Sequence, residues 1–209
     1  MKITRRIASI ILAAAMILTF SAAAAETEAP VLLHEEFTEL GFSLDMPSTI
    51  MYITMASPED APLYSRLTQA GYTYDSFREI MSSNQILSYG LFLTDQTSIF
   101  QISGADSGQD INYNSLTDDE LNITLESGKA ALEGIGAIVL ESEIVHGARN
   151  QGVRYCYRVT TEGFTQEVIQ YSFMQSGYAV NIRAFGYSNA SPDNDGILRE
   201  IFDSIVTAE

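Results

Sequence analysis

The chain has 209 residues and a formal net charge of −16, from 27 acidic against 11 Lys and Arg side chains. Such a balance repels nucleic acid and anionic membranes, while 46% hydrophobic content is enough for one core of ordinary size. One cysteine, Cys156, excludes an internal disulfide, so stability must come from packing.

Met1-Lys2-Ile3-Thr4-Arg5-Arg6 is a basic start, followed by an uncharged run from Ile7 to Phe20 and then Ser21-Ala22-Ala23-Ala24-Ala25. A basic region, an apolar region and a small-residue cleavage site are the three parts of a secretory signal peptide. The expectation is cleavage near Ala25 and a secreted, extracellular chain starting at Glu26. Loss of Lys2, Arg5 and Arg6 makes that chain more acidic still. The alternative is a retained anchor, because Ile7 to Ala25 just reaches spanning length. No cysteine stands at the cleavage site for a lipid anchor, and no second apolar stretch follows.

Residues 26–34 read as a disordered leader and residues 35–206 as one domain. Phe37 to Met46 reads as a strand pair turning at Gly41, ended by Pro47, with a further short strand over Thr49 to Met55. Asp60-Ala61-Pro62 predicts a helix start, with Asp60 as cap and Gly71 as the stop. Asp75 is the expected cap of a second helix, Ser76 to Ser83. Two strands follow, Ile86 to Thr94 and Thr97 to Ser103, around the turn Asp95-Gln96. Gly104 to Tyr113 reads as polar loop.

Thr117-Asp118-Asp119-Glu120 is a capping box, and behind it Leu121, Leu125, Gly128 and Leu132 share one helical face. Gly134 and Gly136 close that helix. Four strands come next: Ala137 to Val145, Gly152 to Thr160, Phe164 to Met174 and Tyr178 to Phe185. Their turns are short and contain glycine, which predicts an antiparallel meander. Val153, Tyr155, Tyr157 and Val159 share one face; Arg154, Cys156 and Arg158 share the other. Likewise Ile169, Tyr171 and Phe173 oppose Val168, Gln170 and Ser172. An amphipathic helix from about Pro192 to Val206, capped by Ser191, ends the chain. Helices grouped around runs of strands give the α+β class, an antiparallel sheet of about six or more strands covered by helices.

This order, with Gly41-Phe42-Ser43-Leu44-Asp45-Met46-Pro47 in the opening pair and Ser115 to Glu120 before the middle helix, resembles the PsbP-like (Mog-type) α/β/α sandwich superfamily over residues 35–206. Within it the chain is similar to small secreted or membrane-tethered proteins of Gram-positive bacteria. The resemblance implies an α/β/α sandwich and a role in binding rather than catalysis. The binding residues of characterised members (a photosystem extrinsic subunit, a nuclear Ran-binding factor, cell-envelope proteins) have no matching motif here.

No catalytic set stands out. His34 and His146 are far apart and have no companion at ligand spacing. Ser191-Pro192-Asp193-Asn194-Asp195-Gly196 is similar to the start of a calcium loop, which makes Asp193 and Asp195 weak metal candidates. Phe202 occupies the position of the bidentate acid such a loop needs. Asp106-Ser107-Gly108-Gln109-Asp110 is a weaker loop of that kind. Gly186-Tyr187-Ser188-Asn189-Ala190 lacks the second glycine of a nucleophile elbow. Cys156, inside a strand pattern, reads as a packed thiol, and Glu141, Glu143 and Glu167 read as a solvated sheet face. The 11 tyrosines mostly read as core. The expectation is a non-enzymatic binding or accessory protein of the bacterial cell envelope. It needs no cofactor and takes an unknown protein or envelope component as partner. It binds no nucleic acid and meets a membrane only through an uncleaved leader. The alternatives are a calcium- or small-ligand module using acidic loops and a hydrolase with an unrecognised carboxylate site.

Overall fold

A computed structural model describes residues 31–95, 97–161, 164–186 and 192–207, with the backbone alone at 161, 192 and 193. The expected signal peptide, the leader up to Pro30, the Glu162-Gly163 turn, the Ser191 cap and the Ser188 motif lie outside these residues. No helix among the described residues is long and apolar enough to cross a membrane.

The chain opens with β1 (Leu32–Phe37), a short 3-10 turn, and β2 (Phe42–Pro47). The strand β1 begins inside the segment expected to be leader, pairing from Leu32 opposite Pro47 to Phe37 opposite Phe42. After β3 (Ile50–Thr54) come α1 (Pro62–Gln69) and α2 (Tyr74–Ser83), then β4 (Ile86–Phe92) and β5 (Ile99–Asp106). Strand β5 therefore runs into the stretch expected as loop. Helix α3 (Asp118–Gly134) leads to β6 (Ile138–His146), β7 (Gln151–Thr161), β8 (Phe164–Gln175) and β9 (Tyr178–Gly186). Helix α4 (Pro192–Ser204) and the two-residue β10 (Val206–Thr207) complete the order.

Helix ends correct two expectations. Asp60 does not cap α1: Ala61 is the N-cap with no side-chain bond, and Pro62, which has no N–H to satisfy, starts the helix unaided. In α2 the cap is Thr73, not Asp75. Thr73 Oγ1 accepts from the Ser76 N–H at 3.1 Å, and Ser76 Oγ accepts from the Thr73 N–H at 2.9 Å. Serine here takes the place of the usual Glu or Gln of a capping box. The box at Thr117 and Glu120 forms as expected.

Seven strands make an antiparallel sheet in the order β3-β4-β5-β9-β8-β7-β6, and β1-β2-β10 make a small second sheet. This is an α+β fold. The two-residue turn between β8 and β9, Ser176-Gly177, has φ of 50° and 81°. Left-handed φ at both positions matches the right-handed twist of a hairpin, which is why glycine is useful at 177. The turn fixes the β8–β9 register, and the registers together place Ile53, Tyr89, Gln101, Arg183, Gln170, Tyr155 and Ser142 in one row across all seven strands.

That row identifies the layers. Phe77 of α2 packs edge-on against Tyr89 at a 5.0 Å centroid distance, and the Tyr155 hydroxyl donates to the Leu125 carbonyl of α3 at 3.1 Å. Hence α2 and α3 lie on the same face, α2 over the β4 end and α3 over the β7 end. The other face carries Tyr171 and Phe173, which pack on Phe202 of α4 at 5.4 and 6.4 Å. Phe42 of β2 meets Phe173 at 5.3 Å, so the small sheet shares that face with α4. Buried Leu, Ile and Phe fill both interfaces, with Leu63, Phe77, Phe100, Leu121 and Phe202 fully enclosed.

Candidate functional site

The residues marked by the sequence do structural work or stand alone. Asp195, in the first turns of α4, accepts from Arg154 Nε (3.0 Å) and Nη2 (2.6 Å), and from the Tyr171 hydroxyl (2.8 Å). The side chain of Asp193 lies outside the described residues. Arg154 is buried in the sheet and also donates to Glu141 (3.1 Å) and Glu143 (3.3 Å). Burial works against its charge, but Asp195 and Glu141 outweigh burial and hold the guanidinium above its ordinary pKa. Glu141 and Glu143 are thus ion-paired rather than merely solvated, and Glu167 pairs with Arg158 at 3.0 Å. Alternation correctly put these side chains on one face, but it could not show that α4 brings Asp195 down onto the same arginine.

His34 faces Asp45 at 2.8 Å and His146 faces Asp118 at 3.4 Å, all four side chains exposed to solvent. No group of three or more His, Cys, Asp or Glu is arranged to hold a metal among the described residues. Cys156 is buried, and burial pushes its thiol up, with Glu167 adding to the shift and Arg154 opposing it.

A concavity among the described residues lies elsewhere, on the opposite face. Helix α3 covers β6 and β7 but leaves β8 and β9 partly open beneath its flank. The cleft so formed has a volume of about 780 Å³. Its walls are mostly apolar: Ile111 and Leu116 from the segment leading to α3, Ile123 and Leu132 from the helix, Ile135 beyond it, and Met174 from β8. Ile123 is 71% and Ile135 44% exposed, so both stand at the mouth in contact with solvent. Concave, mostly apolar sites with a few placed polar groups are the usual form of a ligand pocket.

The polar groups are on the floor. Gln170 and Ser172 of β8 and Asn181 of β9 all line the cleft. Arg183, one strand step from Asn181 on the same face, donates through Nε to Gln170 Oε1 at 2.7 Å. The Tyr157 hydroxyl donates to the same oxygen at 3.2 Å. Gln170 Nε2 then donates to Ser172 Oγ at 2.7 Å and to Asn181 Oδ1 at 3.0 Å, and Ser172 Oγ donates to Asn181 Oδ1 at 2.7 Å.

These bonds have a fixed direction. The arginine Nε can only donate, so Gln170 must turn its oxygen toward Arg183. Its amide nitrogen then faces Ser172 and Asn181, and Asn181 must turn its own oxygen inward to accept. The Asn181 Nδ2 is left over. It has no partner among the described residues and is not sealed from solvent, so the cleft floor presents an amide donor. Burial also pushes the phenols of Tyr113, Tyr155 and Tyr157 up, so each remains a protonated donor through the neutral range.

No protein-family description matches the sequence, and no curated protein is similar to it. Solved structures that resemble the chain include the cyanobacterial PsbP of Synechocystis, at 12% identity and a TM-score of 0.46, covering 90% of this chain and 98% of that one. A Bacteroides thetaiotaomicron protein matches at 12% identity and a TM-score of 0.43, over 81% of this chain but 46% of its own. A Pseudomonas aeruginosa protein of unknown function matches at 11% identity and a TM-score of 0.41, over 85% and 98%. Likeness at this level carries no functional argument.

Sequence reasoning passed over Gln170, Ser172, Asn181 and Arg183 as sites. A usable signal was present. Polar residues alternate with large apolar ones on two strands joined by Ser176-Gly177, and a two-residue turn aligns Ser172 with Asn181 and Gln170 with Arg183.

Proposed function

We propose that this chain is a secreted, non-enzymatic binding protein of the bacterial cell envelope that holds its ligand in the cleft between α3 and the β7-β8-β9 floor. The observation that carries this reading is the cleft itself, with apolar walls over a hydrogen-bonded Gln170-Ser172-Asn181 floor. Export is supported by the basic, apolar and small-residue pattern of residues 1–25. A role in binding rather than turnover is supported by the state of Ser172. Its hydroxyl is engaged by two side-chain amides, neither of which takes up a proton, so nothing at the floor activates it as a nucleophile.

The test uses Nile red, a neutral dye that brightens and shifts to the blue in apolar sites. Ala131 is an exposed residue of α3 that lines the cleft, so Ala131→Trp fills the mouth without disturbing the core. The purified protein is expected to bind the dye, and the A131W variant to lose that binding with an unchanged circular dichroism spectrum. Equal binding by both proteins, or none by either, contradicts the reading.

A further inference from the structure

We infer that the ligand is a single-chain amphiphile bearing a carboxylate, with the carboxylate on the Asn181 amide and the acyl chain along the apolar wall. This rests on the cleft being the binding site and adds the chemical class of what fills it.

The headgroup follows from polarity. A floor whose hydrogen bonds all run toward Asn181 ends in N–H donors and so calls for an acceptor. Arg183 does not itself line the cleft, but its Nε donates to Gln170 Oε1 at 2.7 Å, so its positive charge stands one side chain behind the floor. Its guanidinium pairs with no carboxylate among the described residues, in a chain where acids outnumber Lys and Arg by 27 to 11. An ionised acceptor gains more from such donors than a neutral one. The net negative charge of the whole molecule opposes an anion at long range, but salt screens that field within about 8–10 Å. Glu120, at the cleft margin, is held by the Thr117 N–H and hydroxyl at 2.8 and 2.9 Å.

The tail follows from the walls. Ile111, Leu116, Ile123, Leu132, Ile135 and Met174 offer surface but no hydrogen bonds. An acyl chain needs none, whereas an extended peptide would leave amide groups unpaired at a cost for each. This favours the lipid-like chain over an apolar peptide with a free C-terminus.

Calorimetry with decanoate and decyltrimethylammonium, both below their micelle concentrations at neutral pH, separates the possibilities. Decanoate is expected to bind at least about tenfold tighter, the effect of one charge-assisted hydrogen bond. Asn181→Asp is the decisive variant, because its inner oxygen accepts the same bonds from Gln170 and Ser172 while its outer atom becomes an acceptor. It should melt near the parent protein and reverse the preference. In the parent, the Asn181 side-chain amide signals should shift in NMR spectra with decanoate and stay still with the cation. Equal affinity for the two amphiphiles, or an unchanged decanoate affinity in N181D, overturns the assignment. So does tighter binding of an apolar peptide carboxylate than of decanoate. Nile red binding that survives any of these failures leaves the cleft as the site and removes only the carboxylate.

Discussion

The Tyr155 hydroxyl occupies the space beside Gly128: a Cβ at position 128 would lie 2.1 Å from that oxygen and 2.9 Å from the ring carbon that carries it. The phenol bonds the Leu125 carbonyl one turn away, which locks α3 onto β7. Glycine inside a helix costs about 1 kcal/mol relative to alanine. Here that loss is offset by the close approach it permits.

Gly128→Ala should therefore destabilise the protein despite its better helix propensity. Overpacking of this kind typically costs about 1–3 kcal/mol, or a few degrees of melting temperature in a domain of this size. Ser127→Ala, on the exposed side of the same turn, should be neutral or slightly stabilising. Thermal denaturation of the two variants checks the contrast. A G128A protein more stable than the parent would mean that α3 sits further from the sheet.

Arg154 and Asp195 form the other anchor, on the α4 face. Removing Asp195 leaves Arg154 its ion pairs to Glu141 and Glu143 but takes the bidentate acceptor from a buried guanidinium and the acceptor from the Tyr171 hydroxyl, a loss of about 1–3 kcal/mol. Asp195→Ala should show a loss of that order in urea denaturation. The double variant R154M/D195L should be far closer to the parent than the sum of the single changes, since it removes both charges together. Calcium should not raise the melting temperature through Asp195, whose oxygens already accept from Arg154 and Tyr171.

Asp95 gives the protein an acid-side dependence. Burial raises its pKa, but the Ser98 hydroxyl, the Ser98 and Thr97 N–H groups and the Asn194 amide outweigh burial and pull the carboxyl below its ordinary value. A folded pKa below the unfolded one gives stability that is present above about pH 4, the unfolded value of Asp, and lost as pH falls through the folded value. Asp95→Asn should cost about 1 kcal/mol near neutrality, the scale of a lost side-chain cap. Below that acid transition the difference between variant and parent should close. Melting curves of the two proteins from pH 7 down to pH 2 measure it, and a gap that persists in acid would contradict the role of the carboxylate.

Cys156 should be unreactive in the folded state. It is 8% exposed, and burial keeps the thiol protonated. A thiol reagent such as DTNB should label it slowly in buffer and rapidly in denaturant.

Much of the scaffold was legible because it follows local rules. The Thr117-Glu120 box, the Gly-containing turns and the alternation along β7 and β8 each need only neighbouring residues. The cap of α2 departs from the expected Asp75 because a Thr-Ser pair is a weaker sequence signal than an aspartate, although the structure uses both of its hydroxyls. The far end of β5 is not legible locally, because Gly104, Ala105 and Asp106 have low strand propensity. Their pairing with Val180, Ala179 and Tyr178 of β9 comes from far along the chain. The cleft was hidden for a similar reason. Its polar floor groups belong to one hairpin, but one wall is a helix that the sequence does not place beside that hairpin. The Arg154 cluster likewise joins four elements that share no local pattern.

Occupation of the cleft beside α3 by ligand can be read from amide chemical-shift mapping of the isotope-labelled protein during a decanoate titration. The expected perturbations lie along α3, on Gln170 to Met174 of β8 and on Ala179 to Arg183 of β9. Shifts confined to the β1-β2-β10 sheet or to the α4 face, with α3 and the β8–β9 hairpin silent, would contradict it.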